Sequence, residues 1–418
     1  MNINEIHKKY QNCECKKEHN CPIDFVKIGN GAINELTGIW KGYNNILLIS
    51  DENTYRVCGK NVYKLLGDKV FKNLILTKNG DVVIPNEEKI AEIEEALKEN
   101  TDLIIGVGSG VINDLCKYVS FKNNLPYYIV ATAPSMDGYA SVGAALILEG
   151  MKVTLNARPP KAIIADTSVL KDAPIDMLKA GYGDIIGKFS CLNDWKLSAV
   201  INNEYFCKEI YDMTYNEAER VKGLAKDIKE RKENAVKALM EALVIVGIAM
   251  SYVDCSRPAS GSEHHLSHFF EITGILEEKG YYPHGIDVGF SSVVTAKIRE
   301  EIINRKPQKR EFNRSLWEEE IKRVYLSSAS GVIALQDKLG WYNKDDSKKI
   351  EENWEKIVEI LKEAPKAEEF KAMLCDVGLL YEDFEKFYGT KKIQDAVKFS
   401  KDLKDRYTVL WLKDRYFG

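Results

Sequence analysis

The rhythm of apolar and polar positions changes near residue 170. Before it, short apolar runs rich in Ile, Val and Leu recur: "NNILLIS" (44–50), "KNLILT" (72–77), "TDLIIGVG" (101–108), "PYYIVATA" (126–133) and "KAIIADT" (161–167). Such runs suit parallel strands covered on both faces. Between them, "NEEKIAEIEEALKEN" (86–100) and "GVINDLCKYVSFKNN" (110–124) repeat apolar residues at helical spacing. This alternation predicts an open parallel α/β sheet. Beyond residue 170 strand signals nearly vanish, and long amphipathic stretches such as "FNRSLWEEEIKRVYLSSASGVIALQDKLG" take over. The pattern predicts an α/β domain over 1–169 and an all-α helical domain over 170–418. The aromatic-rich end, "DRYTVLWLKDRYFG", is expected to pack on the body or on a partner subunit.

Length supports this division, since 418 residues exceed the size at which a single core usually stops growing. A formal net charge of −4 offers no whole-chain attraction to nucleic acid or to anionic lipid. Neither is an expected partner. The N-terminus lacks the apolar core of a signal peptide, and runs such as "ALVIVGIAM" (242–250) are short for a bilayer span. Nine scattered cysteines fit reduced thiols better than a disulfide framework, so the expected location is the cytoplasm. One cysteine cluster stands apart. "CECKKEHNC" brings together Cys13, Cys15, His19 and Cys21, all zinc-type ligands. The spacing is compressed and no second knuckle follows, so free thiols are the plainer expectation.

Candidate chemistry begins at "IIGVGSGVINDLCKY", which runs from a strand through Gly106, Gly108, Ser109 and Gly110 into a helix. Glycine lets a ligand approach the backbone, and a helix N-terminus offers unpaired N–H groups to phosphate. A tight strand–helix turn without a ligand uses the same residues, and the spacing departs from the usual dinucleotide fingerprint. Asp51 follows an earlier strand, where a carboxylate can accept from a ribose and repel a 2′-phosphate; an ordinary helix N-cap would look the same. "VATAPSMDGYAS" carries Thr132, Ser135, Asp137 and Ser141 past the end of another strand, where parallel sheets bind ligands.

Three of the six histidines lie in "ASGSEHHLSHFF" (259–270). On a helix, His264 and His268 share a face and His265 points away. His284 follows in "GYYPHGIDVGF", at a loop before another helix. Asp184 lies in "KAGYGDIIGK", where the glycines suggest a helix start exposed to a cleft. One carboxylate oxygen and two imidazole nitrogens suit zinc, nickel or ferrous iron and leave positions open for a substrate. Satisfied polar histidines are the alternative.

"GVGSGVINDLCKY", "TAPSMDGYAS", "GYGDIIGK", "RPASGSEHHLSH" and "PHGIDVGF" occur in this order over roughly 45–300. Together they closely resemble the sn-glycerol-1-phosphate dehydrogenases, within the superfamily of iron-type alcohol dehydrogenases, glycerol dehydrogenases and dehydroquinate synthases. The C-terminal extension resembles the longer bacterial branch. The resemblance implies a Rossmann-like cofactor domain, a helical metal- and substrate-binding domain (the dehydroquinate synthase-like fold), and a site in the cleft between them. It implies one divalent metal ion (Zn, Ni or Fe) on Asp184, His264 and His284, with Asp184 also touching substrate. His268 and Asp137 would contact the substrate, and Asp184, His268 and Asp137 would carry the catalysis. NAD(H) or NADP(H) would be held by Asp51, by Gly108, Ser109, Gly110, Val111, Ile112, Asn113 and Asp114, and by Thr132, Ser135 and Ser141. The implied substrates are dihydroxyacetone phosphate and sn-glycerol 1-phosphate, and the implied assembly is a homodimer.

Iron-type alcohol dehydrogenases place a histidine ligand four residues after the metal aspartate. Here that place holds Lys188, which either draws a phosphorylated substrate or is a solvated helix residue. Arg257 and Arg158 are further candidates for the phosphate. Rival readings on the same fold are a glycerol dehydrogenase, a dehydroquinate synthase-like sugar-phosphate cyclase and a non-catalytic metabolite-binding protein.

Overall fold

All five apolar runs are strands. The computed structural model describes residues 2–40, 42–77, 82–148 and 151–418. The strands are β1 (Phe25–Gly29), β2 (Ile46–Asp51), β3 (Val70–Leu76), β4 (Leu103–Gly108), β5 (Tyr127–Ala131), β6 (Gly143–Leu148), β7 (Met151–Asn156) and β8 (Ala162–Asp166). Six form a parallel sheet in the order β1-β8-β5-β4-β2-β3, and β6 and β7 form a separate antiparallel pair. Every residue of β4, β5 and β8 is buried, which is why their sequences run apolar without alternation. The patterns missed β1, where buried Val26 and Ile28 alternate with less buried neighbours, and the β6–β7 pair.

Two helices among these strands are α1 (Glu87–Ala96), capped by the Asn86 side chain, and α2 (Gly110–Lys122). Further along come α3 (Ile175–Ile186), α4 (Lys188–Asn202), α5 (Glu233–Val253), α6 (Ser262–Leu276) and α7 (His284–Ile302). The chain forms two compact units. One comprises Met1–Gly181 and Asp227–Cys255, the other Tyr182–Lys226 and Ser256–Gly418. A cut at 169/170 marks where strands stop, but α5 belongs with the sheet. Its Leu239, Met240, Leu243 and Val246 are fully buried, and Ser251 Oγ donates to Ala140 O (2.9 Å). By length and composition α5 could cross a membrane, yet its apolar surface lies in the core of the first unit.

In the second unit, residues 409–412 of the aromatic tail are buried, and Val409 N donates to Asp194 (2.8 Å), so the tail packs on its own unit. Gly187 of "GYGDIIGK" does precede a helix, α4, but Asp184 is not at its start. Gly183 and Asp184 lie near the end of α3, and Asp184 is fully buried. A Cβ on Gly183 would stand 2.2 Å from the Gly285 carbonyl oxygen, so glycine is there to let α3 touch the first turn of α7. That contact sets Asp184 beside His284.

Gly183→Ala is expected to lower stability by about 1–3 kcal/mol, the usual cost of overpacking against backbone that cannot yield. Urea unfolding measures it; an unchanged midpoint would show that α3 and α7 are not in this contact.

Candidate active site

The second unit gathers Asp184 from α3, His264 from α6 and His284 from α7. One ligand atom from each lies within 4.8 Å of the others. The ring centroids of His264 and His284 are 5.1 Å apart. His264 Nε2 stands 3.5 Å from Asp184 Oδ1, longer than an ordinary hydrogen bond, with space for an ion between them. Both histidines are oriented from behind. Glu263 Oε1 lies 2.7 Å from His264 Nδ1 and also accepts from Gly261 N (2.8 Å), while Ser267 Oγ lies 3.1 Å from His284 Nδ1. A carboxylate behind an imidazole fixes its tautomer and leaves the other nitrogen to a metal. The donor set and its outer partners fit a divalent cation.

The helical periodicity of "EHHLSH" sorts the histidines as expected. His268 lies on the same side, 5.2 Å between centroids from His284, and only partly buried. His265 is fully buried, neither ring nitrogen has a hydrogen-bond partner among the described residues, and burial holds its pKa well below the ordinary value. Sequence reasoning missed Glu271, which forms a second ligand-type group with His268 and His284. It also missed Glu263 and Asp194. Asp194 Oδ2 accepts from Ser262 N (2.7 Å), pinning the first turn of the histidine helix. An acidic residue beside a candidate ligand was the available signal for Glu263; nothing local pointed to Asp194.

Lys188 is neither solvated nor open to a phosphate. It is fully buried, with Nζ 2.6 Å from Asp184 Oδ1 and 2.9 Å from Ala259 O. Burial alone would raise the Asp184 carboxyl, but Lys188 and the His264 contact outweigh it and hold the carboxyl far below its ordinary range. Burial and Lys188 act to lower His264, but Asp184 and Glu263 prevail and raise it. The space between Asp184 and His264 thus favours positive charge, as a proton or as a cation. Arg257 is also committed: it pairs with Glu204 and donates to Tyr407 O (2.8 Å). Arg158 is exposed and donates to Asn124 Oδ1 (2.8 Å).

In the first unit, β2 is followed by β3 on one side and β4 pairs with β2 on the other, so the winding reverses between β2 and β4. Ligands of open parallel sheets bind at such a reversal, outside the carboxyl ends of the strands. Asp51 ends β2, Gly108 ends β4, and Ser50 pairs with Val107 just before them. Asp51 Oδ1 accepts from Thr54 N (2.8 Å), so it does cap the next turn. A Cβ on Gly108 would lie 2.5 Å from Ile112, so this glycine lets α2 close onto β4. Ser109 gives α2 no side-chain cap, which leaves its first-turn N–H groups to other acceptors.

Val111 is partly buried at the mouth of α2, whereas Ile112 and Asn113 face inward. Asp114 is bonded internally, to Ala145 N (3.2 Å) and Asn113 Nδ2 (3.1 Å). Thr132 N donates to Gly108 O (3.1 Å), and Ser135 and Asp137 lie partly exposed on the same loop. Ser141 is used inside that loop: its hydroxyl donates to Gly138 O (3.0 Å) and accepts from Lys117 Nζ (3.2 Å). Lys117, also missed in the sequence, is fully buried and donates to Gly138 O (2.7 Å) and Gly143 O (2.8 Å), tying α2 to the loop.

Known proteins resemble this chain in sequence and in fold. The family model described as iron-containing alcohol dehydrogenase matches residues 27–174. The glycerol-1-phosphate dehydrogenase [NAD(P)+] of Halalkalibacterium halodurans is 34% identical over 293 residues, 68% of this chain and 73% of that protein. The chain belongs to the glycerol-1-phosphate dehydrogenase family. The family member from Geobacillus stearothermophilus is 28% identical over 383 residues, 90% of this chain and 88% of that protein, so the similarity extends into the C-terminal helices. The fold is shared with sulfoacetaldehyde reductase from Bifidobacterium kashiwanohense in complex with NAD+, at a TM-score of 0.59, 14% identity and 92% coverage of both chains. Within the glycerol-1-phosphate dehydrogenase family, the fully buried Lys188 of this chain is best understood through its ion pair.

Lys188→Met leaves Asp184 as a buried charge without its cation. The expected loss is about 3–5 kcal/mol in metal-free protein, partly recovered by an added divalent ion. Thermal unfolding with and without metal tests this; equal melting points for variant and parent would refute it.

Proposed function

We infer that the chain catalyses the reversible NAD(P)H-linked reduction of dihydroxyacetone phosphate to sn-glycerol 1-phosphate. The observation that carries this reading is the Asp184–His264–His284 group, with Asp184 and His264 buried and both histidines braced from behind, in a member of the glycerol-1-phosphate dehydrogenase family. The neighbouring group of His268, Glu271 and His284 is partly exposed throughout and suits substrate contact better. Oxidation of the secondary alcohol of glycerol 1-phosphate gives dihydroxyacetone phosphate, which fixes the reaction pair. A divalent cation on the three ligands would supply Lewis-acid polarisation of the ketone oxygen.

The protein's own groups do the rest. Glu263 keeps His264 in one tautomer, and Ser267 keeps His284 turned toward Asp184. His268 would pass a proton to the alkoxide oxygen, since an imidazole exchanges protons near neutral pH. The first-turn N–H groups of α2, over Gly108, Ser109, Gly110 and Val111, would receive the cofactor's pyrophosphate. Asp51 Oδ2 would accept from the adenosine ribose while Oδ1 keeps its cap. Thr132, Ser135 and Asp137 line the adjoining loop, the first two toward the cofactor and Asp137 toward the substrate. Ile112, Asn113, Asp114 and Ser141 would act by shaping the turn. With Lys188 and Arg257 committed inside the protein, the substrate phosphate must be held by other groups. A homodimer located in the cytoplasm completes the proposal.

His264→Ala should lose bound metal and turnover together, by at least about 100-fold in kcat/KM, the upper end of what losing a metal's outer partner costs. Metal analysis beside NADH oxidation reads both; a variant with full metal and full rate would sink the assignment. Dihydroxyacetone phosphate should be reduced far faster than free dihydroxyacetone. Equal rates with both ketones would instead favour a glycerol dehydrogenase, and ring closure without net NADH consumption a cyclase.

A further inference from the structure

Three ligand-type side chains of the first unit lie close together and take no part in the reaction above. We propose that Cys13, Cys15 and His19 bind a structural zinc-class divalent ion. One ligand atom from each of the three lies within 4.8 Å of the others. Cys15 Sγ is 3.3 Å from His19 Nε2. In a tetrahedral zinc site, bonds of about 2.3 Å to sulfur and 2.0 Å to nitrogen put neighbouring ligands roughly 3.5–3.8 Å apart, so the Cys15–His19 spacing needs only a small adjustment.

The imidazole is set for this task. His19 Nδ1 lies 2.9 Å from Tyr252 O, and a carbonyl there can only accept. The proton is thereby fixed on Nδ1, and the Nε2 lone pair faces the thiols. Metal-binding histidines are oriented in this way, by an outer carbonyl or carboxylate. The ring is 3% exposed and packs against Tyr252, with centroids 5.6 Å apart. The sulfurs are prepared as well. Lys17 N donates to Cys15 Sγ (3.5 Å), and Lys16 N to Cys13 O (3.1 Å), folding the "CECKK" turn around the thiols. Two thiolates and one imidazole select a soft or borderline ion, whereas the carboxylate and two imidazoles of the other site are harder.

Cys21, the remaining candidate in "CECKKEHNC", stays apart. Burial pushes its thiol up to about 11, and it bonds with Ser251. The ion would therefore be a staple rather than a reagent. His19 hangs from Tyr252 O, Lys17 Nζ donates to Val253 O (2.6 Å), and both carbonyls end α5. The site thus fastens the segment before β1 to a helix more than 200 residues away in sequence.

The test uses the full-length protein, refilled with cobalt after chelation. Thiolate ligands give a near-ultraviolet sulfur-to-cobalt absorption that an Asp/His site cannot. It is expected in the parent and in His264→Ala, and lost in Cys13→Ser/Cys15→Ser, which should also carry about one equivalent less zinc by elemental analysis. Should the double variant fail to fold, alkylation of the parent decides: Cys13 and Cys15 should be slow to label with zinc and fast after chelation, read by peptide mass spectrometry. Equal zinc content, absence of the absorption, chelator-independent labelling, or a Cys13–Cys15 disulfide in protein purified with zinc would each overturn the proposal.

Discussion

The second unit is organised around a carboxylate that water cannot reach. Removing an ionised Asp184 from solvent costs several kcal/mol unless partners surround it. Lys188, one turn along, supplies the countercharge, and the same ammonium donates to Ala259 O at the entry to α6. The ion pair therefore also places the helix that bears His264. Asp194 repeats the device, accepting from Ser262 N and Val409 N, and joins that helix to the C-terminal tail. These buried polar bonds have direction, which an apolar core would lack.

The charge arrangement has a chemical consequence. Asp184 and Lys188 cancel each other, and Glu263 adds one negative charge behind His264. A bound dication would leave a local excess of about one positive charge. Such an environment favours an oxygen that becomes an alkoxide over the neutral ketone. The same pairing removes Lys188 from substrate recognition. A basic residue near a phosphate-ester site is thus no guide to where the phosphate sits.

In the first unit the ordering principle is the reversal of winding between β2 and β4. It brings Asp51 and Gly108 to neighbouring strand ends, although 56 residues separate them in sequence. Around that edge Lys117 does for the polar loop what Lys188 does beside Asp184: a fully buried lysine collects oxygen acceptors and fixes a backbone shape. The "CECKKEH" segment belongs to this unit too, held at the end of α5 by His19 and Lys17.

Much of this was legible before any coordinates. Uninterrupted apolar runs marked the parallel strands because burial on both faces leaves no polar alternation, and the 3.6-residue period separated His264 and His268 from His265. Those are local properties, set by neighbours within a few residues. The family's motifs pointed to Asp184, His264 and His284, which the structure brings together, whereas spacing alone could not. The partners of Asp184, Lys188, Arg257 and Lys117 were out of reach, because a charged residue reads as solvated until its burial is known. The glycines of "GYGDIIGK" read as a helix start because sequence does not reveal which backbone will press against them. The sequence determined the elements and the kinds of chemistry they carry. Only the tertiary structure decided which charges neutralise each other, because that depends on packing distances between residues remote in the chain.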